Sequence, residues 1–397
     1  MKILFLSPYL PSENSGHAGA QLIFRNIISL SRKYNITLVC FVNNNEQDEI
    51  HKLEKSGICV YPLLYLRNQK KIKNKIYSLI QNLESIVHFL KFKEPFFFAK
   101  YKKVRMEGLI KKLLKNNNYD IVQFEYNIMY HYIDLVKDIP KVINFHDIST
   151  KVYQRGSKNG KLINRLYYKM TKRLEPNIGN KFDYVITLSD EDKKYLSKLG
   201  CESTIKIIPP QINIPQITSG YKKTNEICFI GSYNREPNVQ AVRILIDEII
   251  PQLSSNIKLN IVGKGLPYKI SSKIAKSNSI SYLGFIDDID NFLSTQMMMV
   301  SPILIGAGIK MKNLHSLACS TAVLTTKVGA EGININSENG LWISDISSMA
   351  PQINTLLNDQ DLLINKGRLG REIVKEQFSR FKIVSQYESI YSNLMKK

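Results

Sequence analysis

The sequence predicts an α/β protein built from two doubly wound, Rossmann-like domains, and three observations carry that prediction. Short apolar strands alternate with helix-length segments from the first residues onward, the pattern of parallel strands joined by crossover helices. The alternation stops once, at residues 209–225 (PPQINIPQITSGYKKTN), which are rich in Pro, Gly and polar residues and have no apolar period. It then restarts. At 397 residues the chain is also too long for one ordinary domain of about 100–200 residues and comfortable for two.

The elements follow in order. Residues 2–7 (KILFLS) read as a buried strand, then come a loop with Gly16 and Gly19 and a helix from about Ala20 to Lys33. Strands at 36–42 (ITLVCFV) and 58–63 flank an acidic helix near 46–56, and further strands are read at 120–124 (DIVQF), 141–145 (KVINF), 183–188 (DYVITL) and 205–208 (IKII). After the linker, strands are expected at 226–231 (EICFIG), 257–262 (IKLNIV), 280–283, 297–301 and 322–325, with helices from Pro237 to about Leu253 and near 309–319. From about Asp345 the tail reads as wholly helical. These elements divide the chain into a domain over 1–215, interrupted by a basic amphipathic insertion at about 64–117, a second domain over 220–375, and a C-terminal helix over 376–397 expected to pack back on the first domain. Two such domains imply a cleft between the carboxyl ends of their sheets, where ligands bind in doubly wound folds.

Composition narrows the function class. The chain is 44% hydrophobic and 22% charged, ordinary for a globular protein. No apolar run approaches the roughly 20 residues of a membrane-spanning helix, and MKILFLSPYLP is too briefly apolar to be a signal-peptide core. Cys40, Cys59, Cys201, Cys228 and Cys319 are dispersed, with no CxxC and no ligand spacing. Reduced thiols, a cytoplasmic location and no zinc site are the expectation. The charge is unusual: 55 basic against 34 acidic residues, a net +21. Between Arg67 and Lys115 there are 14 Lys and Arg against three Glu, a clustering that points to an anionic surface.

Two segments after the linker carry chemistry. In GSYNREPN a strand ends at Gly231, and a polar loop with Arg235 leads to a helix near Pro237. Free backbone N–H groups at that helix end suit an anion. In PILIGAGIKMKNLHSLACSTAVLTTKVGAEGI (Pro302 to Ile333), the loop Gly306-Ala307-Gly308 permits close backbone approach. The helix behind it carries Lys310, Lys312 and His315. Lys312 and His315, three apart, share a face, while Leu314, Leu317 and Ala318 fall on the side that packs on the sheet. A lysine-bearing helix start behind a glycine loop suits a diphosphate; solvated lysines on an ordinary surface helix are the alternative.

The second segment resembles the signature P-x-x-x-G-x-G-x-K-x-K-x-L-E-A-x-A-x-G-x-P-V-V-x-T-x-x-G-x-E-G of the retaining, nucleotide-sugar-dependent glycosyltransferases with the GT-B fold, the group 1 or family 4-like branch. The match runs through Pro302, Gly306, Gly308, Lys310, Lys312, Leu314, Ala318, Val323, Thr326, Gly329, Glu331 and Gly332. Ser316, Ser320 and Ala322 depart from it where Ala, Gly and Pro are usual. FIGSYNREPN (Phe229 to Asn238) is similar to that group's F-x-G-x-x-x-x-x-P-N, and SYLGFIDDIDNFL (Ser281 to Leu293) to its V-x-x-x-G-x-V-x-D-x-x-x-x-L. In the first half, SPYLPSENSGHAGAQ resembles the glycine loop after the first strand and FHD (Phe145 to Asp147) the strand-end histidine.

The resemblance implies retaining transfer of a sugar from a nucleotide diphosphate sugar to an acceptor hydroxyl, in surface polysaccharide or glycolipid assembly. It implies roles as well. Lys310, Lys312, Arg235 and the amides around Gly16, Gly19, Gly231, Gly306 and Gly308 would hold the diphosphate, with Glu331 and His315 also at the donor. His146 would act beside the transferred sugar, while Asp147 reads as a helix N-cap. No metal and no cofactor are expected. His315 stands where a ribose-binding glutamate is usual, Ala307 where an earlier glutamate is, and Leu304 where an arginine is common. The alternative is therefore a catalytically silent GT-B protein serving as a partner or acceptor-binding subunit. His315→Glu is the informative substitution: improved donor affinity would show that the pocket still follows the family's plan.

The acceptor is expected to be a glycan or a lipid-linked sugar. Residues 70–105 interleave Lys70, Lys71, Lys73 and Lys75 with Ile76, Leu79, Ile80, Leu83, Ile86, Val87 and Leu90 at spacings of three and four, up to Pro95. A basic amphipathic helix followed by aromatics fits peripheral binding to an anionic membrane. Packing of those apolar positions on the first sheet is the alternative. No nucleic-acid-binding module accompanies the charge, so no nucleic-acid partner is expected.

Overall fold

The apolar runs become strands whose two faces are both covered, as parallel sheets require. The computed structural model describes residues 1–15, 18–66, 82–91, 94–158, 162–216, 224–306 and 308–396. The chain forms two compact units, Met1–Pro209 with Ile383–Lys397, and Pro210–Lys382.

The first unit carries a seven-stranded sheet in the order β3-β2-β1-β4-β5-β6-β7. Its strands are β1 Lys2–Ser7, β2 Asn35–Val42, β3 Cys59–Leu64, β4 Ile121–Glu125, β5 Lys141–Phe145, β6 Tyr184–Thr187 and β7 Thr204–Ile207. All pairings are parallel. Alternation assigns the two faces. Leu4, Leu6, Val39 and Phe124 join one core with Met106 and Ile110. Ile3, Phe5, Leu38 and Val142 join the other, under Ile27 of helix Ala18–Leu30 and under Ile383, Tyr387, Ile390, Tyr391 and Leu394 of helix Arg380–Leu394. The order of the strands reverses between β1 and β4, so that is this sheet's switch point.

The second unit carries six parallel strands in the order β10-β9-β8-β11-β12-β13. They are β8 Thr224–Ile230, β9 Lys258–Val262, β10 Ile280–Gly284, β11 Gln296–Ser301, β12 Ala322–Thr325 and β13 Leu341–Ile343. Its switch point lies between β8 and β11. The short β13 is a strand that the sequence reading lacked; three residues give too little pattern to detect. The single helix expected from Pro237 to Leu253 is instead α-helical over Glu236–Ile244, a π turn over Leu245–Ile249 and a 3-10 turn over Ile250–Gln252. Pro251 explains the change, because a proline has no N–H to continue an α ladder.

Close backbone contact fixes the loops after β8 and β9. Gly263 has φ +135°, and a Cβ there would fall 1.7 Å from the carbonyl oxygen of Gly231. Gly263→Ala is therefore expected to cost about 3 kcal/mol, from strain plus a displaced loop. Thermal unfolding checks this; an unchanged Tm would contradict the packing.

Candidate functional site

Doubly wound sheets bind ligands beyond the carboxyl ends of their strands, at the switch point. In the second unit that place is formed by the loop after β8, the loop after β11 and the helix Met311–Ala318. Lys312, in the first turn of that helix, donates from Nζ to Asn238 Oδ1 at 2.7 Å. Its ammonium also lies 4.1 Å from the centroid of the Phe229 ring. Gly231 is required beside it, since a Cβ there would approach Lys312 Nζ to 3.0 Å and Asn238 Nδ2 to 2.9 Å. Burial, with the charges of Lys310 and Arg235 nearby, pushes the Lys312 ammonium down to about 7. Three cations crowded at a switch point, with no carboxylate bonded to Lys312 among the described residues, form a site with a strong demand for an anion.

The neighbouring residues define the rest of this site. Lys310 caps the helix start and donates to the Gly308 carbonyl at 2.5 Å. Gly306 (φ 121°) and Gly308 (φ 71°) both occupy backbone conformations that favour glycine. Arg235 is exposed at the N-cap of helix Glu236–Ile244. The Gly231 amide is already spent on the Val262 carbonyl, so it is not itself a phosphate donor. Glu331 is half-buried in the turn after Gly329. Buried Asn313 ties that turn down, bonding the Gly329 carbonyl at 2.9 Å.

His315 takes a different partner from the one expected. Its Nε2 is hydrogen-bonded to Asp290 Oδ1, on helix Ile289–Thr295. A carboxylate is thus present, supplied 25 residues away in sequence. This changes the substitution test. His315→Glu would set two carboxylates against each other, so weaker donor binding is expected rather than the improvement that would mark the family's plan. A titration comparing His315→Glu with His315→Glu/Asp290→Asn separates the two, with affinity recovering in the double variant. The sequence showed no metal-ligand cluster, yet the fold brings ligand atoms of Asp290, His315 and Cys319 within 4.8 Å of one another. Ser320, in the place of a usual glycine, adopts the left-handed conformation (φ 58°), so this departure keeps the backbone while accepting its strain.

In the first unit the switch point gathers a second set. His146 follows β5 directly and is 3% exposed. Its Nε2 lies 2.6 Å from Glu125 Oε2, at the end of β4. Its ring stacks on Tyr126, with centroids 4.0 Å apart and planes at 7°. Tyr126 has φ 72° and ψ 142°, a conformation close to glycine-only that costs on the order of 1–3 kcal/mol. Strain held at a residue that clamps a strand-end histidine makes the place a candidate functional site. Asp147 is exposed and does not begin the next helix. The first amides of Ser149–Lys158 go instead to Glu175, at 2.8 and 2.9 Å. Burial raises this carboxyl to about 7.

The remaining predicted residues are placed as follows. Gly19 lies in the first turn of Ala18–Leu30, which starts two residues earlier than expected. Gly16, Ala307, Lys70, Lys71, Lys73 and Lys75 lie outside the described residues. Residues 82–91 are helical, and Leu83, Ile86, Val87 and Leu90 on them are exposed rather than packed on the sheet. A cavity of 680 Å³ lined by Leu369, Glu372, Lys375 and Lys382 touches none of the residues above.

Comparison with known proteins decides the family. The model of the glycosyl transferases group 1 family matches residues 224–359, and that of Glycosyltransferase Family 4 matches residues 71–215. The chain belongs to these glycosyltransferases. It is 29% identical over 175 residues to an N-acetyl-alpha-D-glucosaminyl L-malate synthase of Bacillus anthracis, covering 42% of this chain and 45% of that protein. It is 25% identical over 223 residues to the capsular polysaccharide biosynthesis glycosyltransferase CapM of Staphylococcus aureus, covering 53% and 58%. The chain thus spans about half the length of these two curated relatives. The solved structure of Anabaena HepE in complex with UDP and glucose superposes with a TM-score of 0.67 at 16% identity, over 99% of this chain and 100% of that one. At that identity the likeness speaks for the fold, two Rossmann-like units of the GT-B type. Asn238 and Glu125, which bond Lys312 and His146, are partners that the sequence reading did not single out. Asn238 stood inside a quoted motif, but its role becomes visible only through Lys312.

Proposed function

We propose that the protein transfers a sugar, with retention, from a nucleoside diphosphate sugar to an acceptor hydroxyl in surface polysaccharide or glycolipid assembly. The observation that carries the reading is the Lys312 site, where Lys312 lies close to Lys310 and Arg235 at the switch point of the second sheet. The bond from the anomeric carbon to the diphosphate oxygen breaks, and its electron pair leaves with the diphosphate. The acceptor oxygen forms the new bond, and its proton is taken up by the departing diphosphate. Lys312, Lys310 and Arg235 stabilise the charge that develops, the kind of contact worth about 2.7–4 kcal/mol each in the transition state. These cations supply what a divalent metal would, so the reaction is read as metal-independent. HepE bound to UDP, and the capsular role in the name of CapM, support the donor class and the process. Calorimetric titration with UDP-, GDP-, ADP- and TDP-sugars tests this reading. At least one donor should bind, and binding to none would favour a catalytically silent protein.

The acceptor is assigned to the first unit, with His146 engaging a sugar hydroxyl. Exposed Leu83, Val87 and Leu90 in a lysine-rich segment support a membrane-bound acceptor. No helix among the described residues is long and apolar enough to cross a membrane. Replacing Lys70, Lys71, Lys73 and Lys75 together should reduce pelleting with anionic liposomes by at least about tenfold, since each basic residue contributes about 1 kcal/mol at such a surface. Equal pelleting would remove the membrane from the proposal.

A further inference from the structure

His146 belongs to a buried polar network in which each member's role is constrained by the others. Gln123 and Glu125 project from the same face of β4, two residues apart; Asn144 lies on β5 in register with Glu125, and His146 follows two residues later, just past the strand end. Glu125 is 0% exposed. Its Oε1 takes the Gln123 amide at 2.6 Å, and its Oε2 takes the Asn144 amide at 3.3 Å and meets His146 Nε2 at 2.6 Å. The network extends to the chain's last helix. Tyr391 donates its hydroxyl to Gln123 Oε1, while the Tyr387 hydroxyl receives Asn26 and Asn144, each at 3.2 Å.

The bonds through Gln123 and one N–H of Asn144 run toward Glu125, while the other bond of Asn144 and that of Asn26 end on the Tyr387 hydroxyl. Tyr391 donates to the Gln123 oxygen, which turns the Gln123 amide toward the carboxylate, and Asn144 likewise presents its NH₂ group. A carboxylate receiving two amides acts as an acceptor only, so the hydrogen between it and His146 belongs to the imidazole. In the neutral ring this leaves Nδ1 with a lone pair. His146 Nδ1 is buried and no described residue meets it; Asn144 Oδ1, two residues earlier, is likewise unmatched. The opposite tautomer would bury an N–H without an acceptor, at a cost of about 1–3 kcal/mol. What the network lacks is hydrogen-bond donors, and hydroxyl groups are donors.

We propose that Glu125 is a positioning residue for His146: it holds the ring in the Nε2–H form and so makes Nδ1 an acceptor for a hydroxyl of the sugar substrate. The hydroxyl is assigned on the functional reading above; the tautomer rests on the network alone. Tyr126, stacked on the ring, fixes its plane, and Tyr9 supports Tyr126 edge-on at 5.5 Å. Glu125 touches no substrate. Its effect passes through the imidazole.

The test uses the full chain labelled with ¹⁵N-histidine, with the His146 signals assigned by their loss in His146→Asn. Wild-type protein should show the neutral ring protonated at Nε2, and a ring protonated at Nδ1 overturns the proposal whatever any variant does. In Glu125→Gln the side-chain amide can present either atom, so the signals should move toward a mixture of tautomers, and kcat/KM should fall at least about tenfold. Signals and kinetics that both stay at wild-type values overturn the positioning role. If Glu125→Gln fails to fold, the wild-type spectrum alone decides. Should His146→Asn leave sugar transfer unchanged while the wild-type tautomer is as stated, the functional reading of His146 falls and the Glu125 assignment stands.

Discussion

Lys312→Ala lowers kcat/KM for sugar transfer by at least about tenfold, and by about 10²–10³ if the ammonium meets the departing diphosphate directly. The loss should fall on kcat more than on KM, because charge on the diphosphate grows as the glycosidic bond breaks. The fold should persist. Lys312 bonds only Asn238 and the face of Phe229 among the described residues, and removing a half-buried ammonium relieves a desolvation cost as well as breaking a bond. Steady-state kinetics with a thermal melt make the comparison. Wild-type kinetics in Lys312→Ala would take Lys312 out of the site.

Removing the chain from Ile383 onward should unfold the first unit. Ile383, Tyr387, Ile390, Tyr391 and Leu394 are each at most 4% exposed and close one face of its sheet. At about 1.5–3 kcal/mol for each large buried side chain, their loss rivals the roughly 5–15 kcal/mol by which domains are stable. Circular dichroism and limited proteolysis should show loss of cooperative structure in residues 1–209. A truncated chain that melts as sharply as the full one would contradict this. Tyr391→Phe, removing only the hydroxyl that Gln123 accepts, should cost about 1 kcal/mol and leave the unit folded.

The fold was legible because its signal is local. Strands such as Ile3–Leu6 read as buried apolar runs, and the linker at 209–225 reads from its prolines and polar residues. Lys312 and His146 were singled out as candidates for a related reason: each stands at a fixed offset from a strand end or a glycine loop. Their partners were not. Asn238 lies 74 residues from Lys312, Glu125 lies 21 from His146, and Glu175 lies 26 from Ser149. Nothing in a side chain's own neighbourhood encodes such a distant bond; the strand order that brings them together does. His315 shows the consequence. Read alone it is a lost carboxylate, whereas Asp290 beside it restores one from another helix.

The central claim is that the second unit holds a diphosphate through Lys312, and calorimetry of nucleoside diphosphate binding tests it most directly. Burial and the nearby charges of Lys310 and Arg235 push the Lys312 ammonium down to about 7. A bound diphosphate favours the charged form, so binding above pH 7 must draw a proton from the buffer. At pH 8, heats measured in two buffers of different ionisation enthalpy should reveal uptake of up to about one proton. At pH 6, where Lys312 is already charged, uptake should be much smaller, and affinity should decline as the pH rises through 7 to 8. In Lys312→Ala the uptake should vanish. Tight binding in wild-type protein with no uptake at pH 8, or the same uptake in Lys312→Ala, would contradict the account.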